Sequence, residues 1–359
     1  MRPGRGPPVE TSLPFPSLPM TPWTDFLATR GATVEHDRVT EFAGASPSPG
    51  VPLLVPLTHL AVTRFSGDDA IAFLHGQLTC DVKGREPDTA SLGAYCTPKG
   101  RMLATFIALR GRGAVELVSA RGVANALAKR LRMFVLRSKV LVEEQADSVA
   151  LLGLVGPTAA APAAVALGET LPSRDWEVGR TGDVTVTRLP GDRLLLVAPG
   201  ATAEKLWDDL VAAGMHPAPT PTWERLDIAL GIPWVVAATQ EQFIPQMTNL
   251  ELVGGVSFDK GCYPGQEVVA RTHYRGEVKR RLRLARVEAE SAPVPGDELY
   301  VGGTTDQTCG MVVNAVPAPD GGHDLLAVVQ NSALEGEPVR LRAGDGPKLI
   351  FRDLPYAVP

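Results

Sequence analysis

The sequence predicts an α+β protein built of several units in one chain, and three observations carry that reading. The chain has 359 residues, enough for two or three domains that each bury a core. Residues 148–217 read in the order strand–helix–strand–strand–helix, a split βαβ unit of the ferredoxin-like kind. Beyond Arg283, short apolar runs at 282–287, 298–301, 311–316, 325–329 and 339–343 are separated by turn signals at fairly even spacing. That is the pattern of a small antiparallel β-barrel or sandwich.

The elements follow in chain order. Residues 1–50 are rich in Pro, Gly, Ser and Thr and read as a largely disordered N-terminal extension with one short helix at 23–30. Within it, prolines at 3, 7, 8, 14, 16 and 19 interrupt any signal-peptide core, so Met1 to Pro19 reads as an extension or as sequence upstream of a true start at Met20. Residues 57–65 predict a strand, and Ser66-Gly67-Asp68-Asp69 offers a cap for a helix on which Ile71, Leu74 and Leu78 share a face. Residues 94–109 predict a hairpin turning at Pro98-Lys99-Gly100, 122–133 a basic helix, and 139–143 a strand. In the ferredoxin-like unit, 150–154 is a strand and 158–167 a small buried helix. There 184–189 and 194–198 pair about Pro190-Gly191-Asp192, and Thr202 caps a helix that stops at Gly214. Residues 217–221 form a linker, and 223–230 a helix ending at Gly231. The division expected is an extension over 1–50, an N-terminal part made of 51–147 with 218–280, the middle unit 148–217 and the barrel 281–359.

Composition narrows the function. Hydrophobic content of 44% and charged content of 21% are ordinary for a globular protein, and no apolar run is long enough to span a bilayer. A net charge of −5 excludes a general polyanion binder, so nucleic-acid contact would need a local basic patch. The four cysteines, at 80, 96, 262 and 309, show no C-x-x-C pair. A chain this large and cysteine-poor does not need a disulfide framework, and a reducing, cytoplasmic setting fits best.

The most informative segment is Lys260-Gly261-Cys262-Tyr263-Pro264-Gly265-Gln266-Glu267. Residues 258–261 are turn-like, Pro264 suits a first helical position, and 266–271 continues as helix or strand. A thiol at a helix N-terminus feels unpaired N–H groups, and Lys260 adds a full positive charge. Both favour thiolate, which makes Cys262 a candidate reactive or metal-ligating sulfur. The alternative is a small buried hydrophobe, as most single cysteines are.

Four motifs together resemble the YgfZ-type folate-binding proteins, relatives of the glycine-cleavage T-protein (aminomethyltransferase). They are Gly76-Gln77-Leu78-Thr79-Cys80-Asp81-Val82, Cys96-Thr97-Pro98-Lys99-Gly100-Arg101, Gln242-Phe243-Ile244-Pro245-Gln246 with Asn249-Leu250, and the octapeptide at 260–267; Leu354-Pro355-Tyr356 also fits. The resemblance spans roughly residues 53–358. It implies a three-domain GcvT/YgfZ-like ring around a central folate site, with the segments 51–147 and 218–280 as its folate-binding part. It also implies a role in assembling or repairing iron–sulfur proteins, tetrahydrofolate or a derivative as cofactor, and iron–sulfur carrier and client proteins as partners. The family cysteine maps onto Cys262. An aromatic that helps hold folate maps onto Trp223, and its companion position holds Leu60.

The T-protein's catalytic aspartate stands in a hairpin strand whose counterpart here, Arg101-Met102-Leu103-Ala104-Thr105, has no carboxylate. A general base is therefore missing, and T-protein activity is not expected. The pterin-gripping glutamate of the transferase maps to Ala229, with Asp227 nearby on a different helical face. What remains is sulfur chemistry. Cys262 would ligate iron as one thiolate of a transient cluster shared with a partner, or would attack or shield a damaged adduct.

Other residues complete the reading. Tyr95 and Tyr263 are candidates to wall the folate cavity, and Gln266 and Glu267 to line it. Arg271, Arg275 and the run Lys279-Arg280-Arg281-Leu282-Arg283 form one basic stretch; Lys129, Arg130, Arg132, Arg137 and Lys139 form a second. Each reads as a solvated face or as an anion site for the folate glutamate tail, an acidic partner or RNA. Arg271 and Arg275 are favoured for the tail because a guanidinium grips a carboxylate with two hydrogen bonds. His273 reads as a surface histidine, and Cys80, Cys96 and Cys309 as core thiols. Three classes stay open: a folate-binding iron–sulfur assembly factor, a folate-dependent one-carbon transferase, and an RNA-associated protein linked to tRNA modification.

Overall fold

The computed structural model of the protein describes residues 21–44, 50–303 and 307–359. The reading of Met1 to Pro19 lies outside the described residues. Three β-sheets dominate what is described, and their arrangement follows from which strand faces are apolar.

A six-stranded sheet has the order Val178–Thr181, Val184–Leu189, Arg193–Pro199, Val149–Val155, Leu53–Pro56, His216–Pro217. The hairpin of 184–189 with 193–199 pairs in register, as its turn sequence predicts. Strand Leu53–Pro56 comes from the stretch assigned to the N-terminal part, yet it pairs with Val149–Val155 inside the sheet of the middle unit. Helices Ala160–Leu167 and Gly200–Ala212 cover one face over Leu152, Leu154, Leu194 and Leu196. Thr202 lies inside the second helix and donates to Asp183, rather than capping the helix.

The expectation of a mostly disordered stretch over 1–50 is corrected for residues 22–42. Helix Pro22–Thr29 is followed by a hairpin of Ala32–Glu35 with Arg38–Phe42. Both dock on Trp207, Trp23 edge-on at 6.0 Å and Phe42 stacked at 5.7 Å. Two large aromatics anchor a segment whose flanking composition looks unstructured.

A five-stranded antiparallel sheet has the order Thr89–Cys96, Met102–Arg110, Ala114–Ala120, Leu60–Ser66, Leu141–Glu144. Helices Ala70–His75 and Arg121–Arg132 pack on its outer face. Its inner face, with Leu60, Val62, Leu92, Ile107 and Val118, meets Val55, Leu151, Leu195 and Val197 of the first sheet in one buried core. Helix Pro221–Ala229 inserts Trp223 into that core. The helix stops at Gly231, whose left-handed backbone and carbonyl are held by the C-terminal Tyr356 hydroxyl at 3.0 Å.

The C-terminal sheet has six antiparallel strands in the order Val339–Leu341, Glu298–Val301, Thr308–Pro317, His323–Gln330, Arg280–Val287, Leu349–Arg352. Register shifts at Leu299/Tyr300 and Val312/Asn314 bend it. Its two edge strands meet only at the isolated bridge Arg340↔Lys348. The expected small barrel or sandwich is therefore a curled half-barrel sheet. Among the described residues no helix is long and apolar enough to cross a membrane.

Candidate functional site: an exposed thiol on a braced loop

The strand pair 89–96 and 102–110 is joined by a tight turn in which the Gly100 amide donates to the Thr97 carbonyl at 2.9 Å. Gly100 has a positive φ of 72° and Gly265 one of 81°, a region that favours glycine. The two glycines touch backbone to backbone. A Cβ on Gly265 would lie 2.5 Å from the Thr97 carbonyl oxygen and 2.7 Å from the Gly100 Cα. Two motifs far apart in sequence thus need glycine for the same reason, and they dock the Cys262 loop onto the hairpin turn.

Lys260 ties the loop's other end. Its ammonium donates to the carbonyl oxygens of His75 and, at 2.5 Å, Leu78, where helix Ala70–His75 ends. A cation at a helix C-terminus satisfies carbonyls that have no partner within the helix. The side chain lies under the Tyr263 ring, 5.1 Å from its centroid. Burial lowers the Lys260 pKa to about 8, because desolvation disfavours the charged form. Thr79 joins the same frame, donating to the Gly255 carbonyl at 2.7 Å. Gln246 donates to the Val269 carbonyl at 2.7 Å, and Arg281 supports it through the Gln246 carbonyl and a buried ion pair with Glu251. All four motifs thus converge on one brace.

The brace leaves Cys262 exposed, whereas Cys80, Cys96 and Cys309 are buried. Burial pushes the Cys96 thiol up to about 12 and raises the other two. The electrostatic expectation for Cys262 is corrected in one respect. The helix runs from Gln266 to Arg275 with Gly265 as its cap, so Pro264 lies outside it and Cys262 stands three residues ahead of the cap. The helix dipole acts within its first turn. Lys260 spends its hydrogen bonds on carbonyls and makes none to Cys262 among the described residues.

His75 is a neighbour that sequence reasoning missed. Its Nδ1 sits 3.1 Å from Asp81, and its Nε2 would be 3.8 Å from a Cβ on Gly261, beside Cys262. Burial and the Lys260 charge lower its pKa, against the opposing pull of Asp81. Its signal was present in the sequence, since it immediately precedes the Gly76-Gln77 motif. His273 is elsewhere engaged, stacked on Phe258 at 3.8 Å. Tyr263 is buried with its hydroxyl unpartnered, and the Gln246 Oε1 is likewise buried and unpartnered. Glu267, Arg271 and Arg275 are exposed on the helix that follows.

The two positions expected to hold folate are not in an open cavity. Leu60 and Trp223 are each 1% exposed and belong to the core between the two sheets. The Arg193 guanidinium covers the Trp223 ring at 4.6 Å, and a Cβ on Gly153 would strike its edge at 2.5 Å. The indole is thus enclosed within the core between the two sheets. Tyr95 faces the opposite, helix-covered side of the sheet, so it and Trp223 do not wall one cavity.

Asp227 is the interior carboxylate of helix Pro221–Ala229, while Ala229 faces solvent. One oxygen of Asp227 accepts from Arg193 at 2.6 Å and the other from the Trp234 indole at 2.9 Å. Sequence reasoning did not find Arg193 or Trp234, because Arg193 opens an apolar strand and only the folded chain brings it to Asp227. Thr105, in the stretch without a carboxylate, is committed to the Pro233 carbonyl and the Val235 amide. No group of three or more His, Cys, Asp or Glu side chains is placed to hold a metal among the described residues.

Comparison with known proteins agrees with this arrangement of motifs. No protein-family profile matches the chain. It is 34% identical over 326 residues to the tRNA-modifying protein YgfZ of Yersinia pestis (strain Pestoides F), an alignment covering 89% of this chain and 98% of that protein. The tRNA-modifying protein YgfZ of Yersinia enterocolitica is 34% identical over 309 residues, covering 85% and 92%. Among solved structures, the glycine cleavage system aminomethyltransferase T from Bartonella henselae superposes with a TM-score of 0.73 at 17% identity, covering 91% of this chain and 94% of the other. That likeness fixes the fold.

Proposed function

The chain belongs to the YgfZ family, and on that premise we propose that it is a folate-binding protein that supports iron–sulfur cluster assembly or repair in client enzymes. The observation that carries the reading is the exposure of Cys262 on a loop that all four family motifs brace. A packing cysteine would not need that frame. Lys260 is then a positioning residue that fixes the loop, not a group acting on the sulfur.

Membership of the family supports folate binding, but Trp223 and Leu60 do not fit as its platform. The orphaned Tyr263 hydroxyl and Gln246 carbonyl oxygen, both buried beside the loop, are groups that a polar heterocycle could satisfy. Gln266 stands at the start of the same helix, and exposed Glu267, Arg271 and Arg275 flank it, the arginines suited to a glutamate tail. Bound tetrahydrofolate would supply one-carbon or redox chemistry next to the thiol. The iron–sulfur cluster enters as cargo, with Cys262 lending one thiolate and carrier and client proteins the rest.

A tRNA-linked outcome is the second reading, favoured by the relatives' description as tRNA-modifying proteins. It joins the first if the client is an iron–sulfur enzyme that modifies tRNA. The transferase alternative lacks a carboxylate at 101–105. The test is complementation of a strain lacking the protein, scored by growth under oxidative stress and by tRNA thiolation. Cys262→Ala should fail in both while Cys309→Ala succeeds. Full rescue by Cys262→Ala would end the sulfur reading.

A further inference from the structure

The basic helix Arg121–Arg132 and the turn after it take no part in the Cys262 brace, yet they form the most unusual surface among the described residues. A cavity of about 360 Å³ opens between this helix and the five-stranded sheet, lined by Tyr95, Leu103, Leu127, Arg130, Met133 and Gln240. No carboxylate lines it. Arg130 and Tyr95 both line it, and the Arg130 Nε is buried without a partner. Met133 of that lining is 66% exposed, and in the turn that follows the helix Phe134 is 45% and Leu136 86% exposed. Leu136 holds a φ of 47°, in the left-handed region that L-residues disfavour. Strain is thus spent on a residue whose side chain contributes little to the core.

Charge accompanies these apolar side chains. Arg132 pairs with Glu144 and Lys139 with Asp68, but Lys129, Arg130 and Arg137 make no ion pair among the described residues. In a chain of net charge −5, these are cations without partners beside exposed apolar side chains and a cavity that no carboxylate lines.

We propose that this face binds an acidic protein segment, which seats one apolar side chain in the Tyr95–Arg130 cavity and sets carboxylates against Lys129, Arg130 and Arg137. A pocket for an anchor, exposed apolar side chains and cations without partners are what such an interface requires. RNA would engage the cations but leave Met133 and Leu136 against phosphate. A flat bilayer would leave the cavity empty. The proposal uses no residue of the Cys262 loop, and of the folate candidates it shares Tyr95.

The test places a photo-crosslinking phenylalanine analogue at Leu136 of the full chain in cells. The reference position is Val165, exposed on the helix over the other sheet. The expected result is a discrete protein adduct at 136 and none at 165. The identified partner, once purified, should bind directly. Lys129→Glu with Arg137→Glu, and separately Leu136→Ser, should each weaken that binding by about tenfold or more. These are surface changes, and an unchanged urea midpoint verifies the fold. Reversing the partner's carboxylates to lysine should restore binding to the double glutamate variant. An RNase-sensitive adduct, an adduct with a second copy of this chain, no adduct at all, or binding indifferent to the charge reversals would each overturn the proposal.

Discussion

Around Cys262 the packing is backbone on backbone, and the thiol is left exposed. Around Trp223 it is side chain on side chain, and almost nothing of the indole is left for a ligand. Both regions hold residues that the sequence analysis expects to be functional. The difference separates two jobs that one pattern can record: presenting a group and building the platform behind it. Gly100, Gly265 and Lys260 hold Cys262 in place. Arg193, Asp227, Trp223 and Trp234 hold the two sheets together. Substitutions in the second region should therefore act on stability, and those in the first on presentation of the thiol.

The largest expected effect lies in the sheet core. Asp227→Ala would leave the Arg193 guanidinium, 1% exposed, without its counter-charge and the Trp234 indole without an acceptor. Breaking one side of a buried pair costs about 3–5 kcal/mol. Urea unfolding should show that loss, and Asp227→Asn a smaller one, because the amide oxygen still accepts from Trp234. A Asp227→Ala protein of wild-type stability would mean that the carboxylate is there for a ligand, reversing the comparison.

Next comes the brace. Gly265→Val places a Cβ 2.5 Å from a carbonyl at a φ that β-branched residues avoid, with an expected loss of about 2–4 kcal/mol. Gly261→Val should be mild by contrast, since Gly261 has no positive φ and its nearest obstacle is the His75 ring at 3.8 Å. Equal losses in the two variants would show that the docking of Gly265 on the hairpin turn does not hold the loop.

These two expectations mark how far the sequence could be read. The hairpin at 97–100, the helix at 221–229 and the motifs around Cys262 were legible, because turn residues and helix ends are local signals. The hairpin over 32–42 was not. Its alternation, Val34 and Val39 against Thr40 and Glu41, is short and flanked by Pro- and Gly-rich sequence, and its anchor Trp207 lies some 165 residues away. The Arg193–Asp227 pair spans 34 residues, and strand Leu53–Pro56 joins a sheet whose other strands begin near residue 149. Pairings of that range leave no periodicity behind. Barrel closure likewise depends on how strands 339–341 and 349–352 meet, which bulges decide and spacing does not.

Lys260 offers a finer distinction, through pH. Its folded pKa of about 8 lies below the unfolded value near 10.4, so between these values the unfolded chain binds the extra proton. Stability contributed by this group therefore rises as pH climbs from about 8 towards 10, by at most about 1.4 kcal/mol per pH unit. Buried Cys96 and Tyr263 act in the opposite sense, since their raised pKa values favour the protonated folded form. The difference between wild type and Lys260→Met isolates the lysine. That difference should shift in the wild type's favour from pH 7.5 to 10 in parallel urea titrations. A pH-independent difference would place the ammonium in contact with water and dissolve the brace.

The smallest effect on stability should be the largest on function. Cys262→Ser changes one exposed atom, and surface substitutions of that kind fall within about ±0.5 kcal/mol. The native protein should therefore lose its fast-reacting thiol with no shift in urea midpoint. Cys80, Cys96 and Cys309 should react with a disulfide reagent only after denaturation, because burial both shields them and raises their pKa values. Native wild type should then show one fast thiol and Cys262→Ser none, while Lys260→Met should keep that thiol but broaden its kinetics as the loop loses its anchor. A second fast thiol in native wild type would mean that a core cysteine opens to solvent, and that the sulfur chemistry is not confined to the loop.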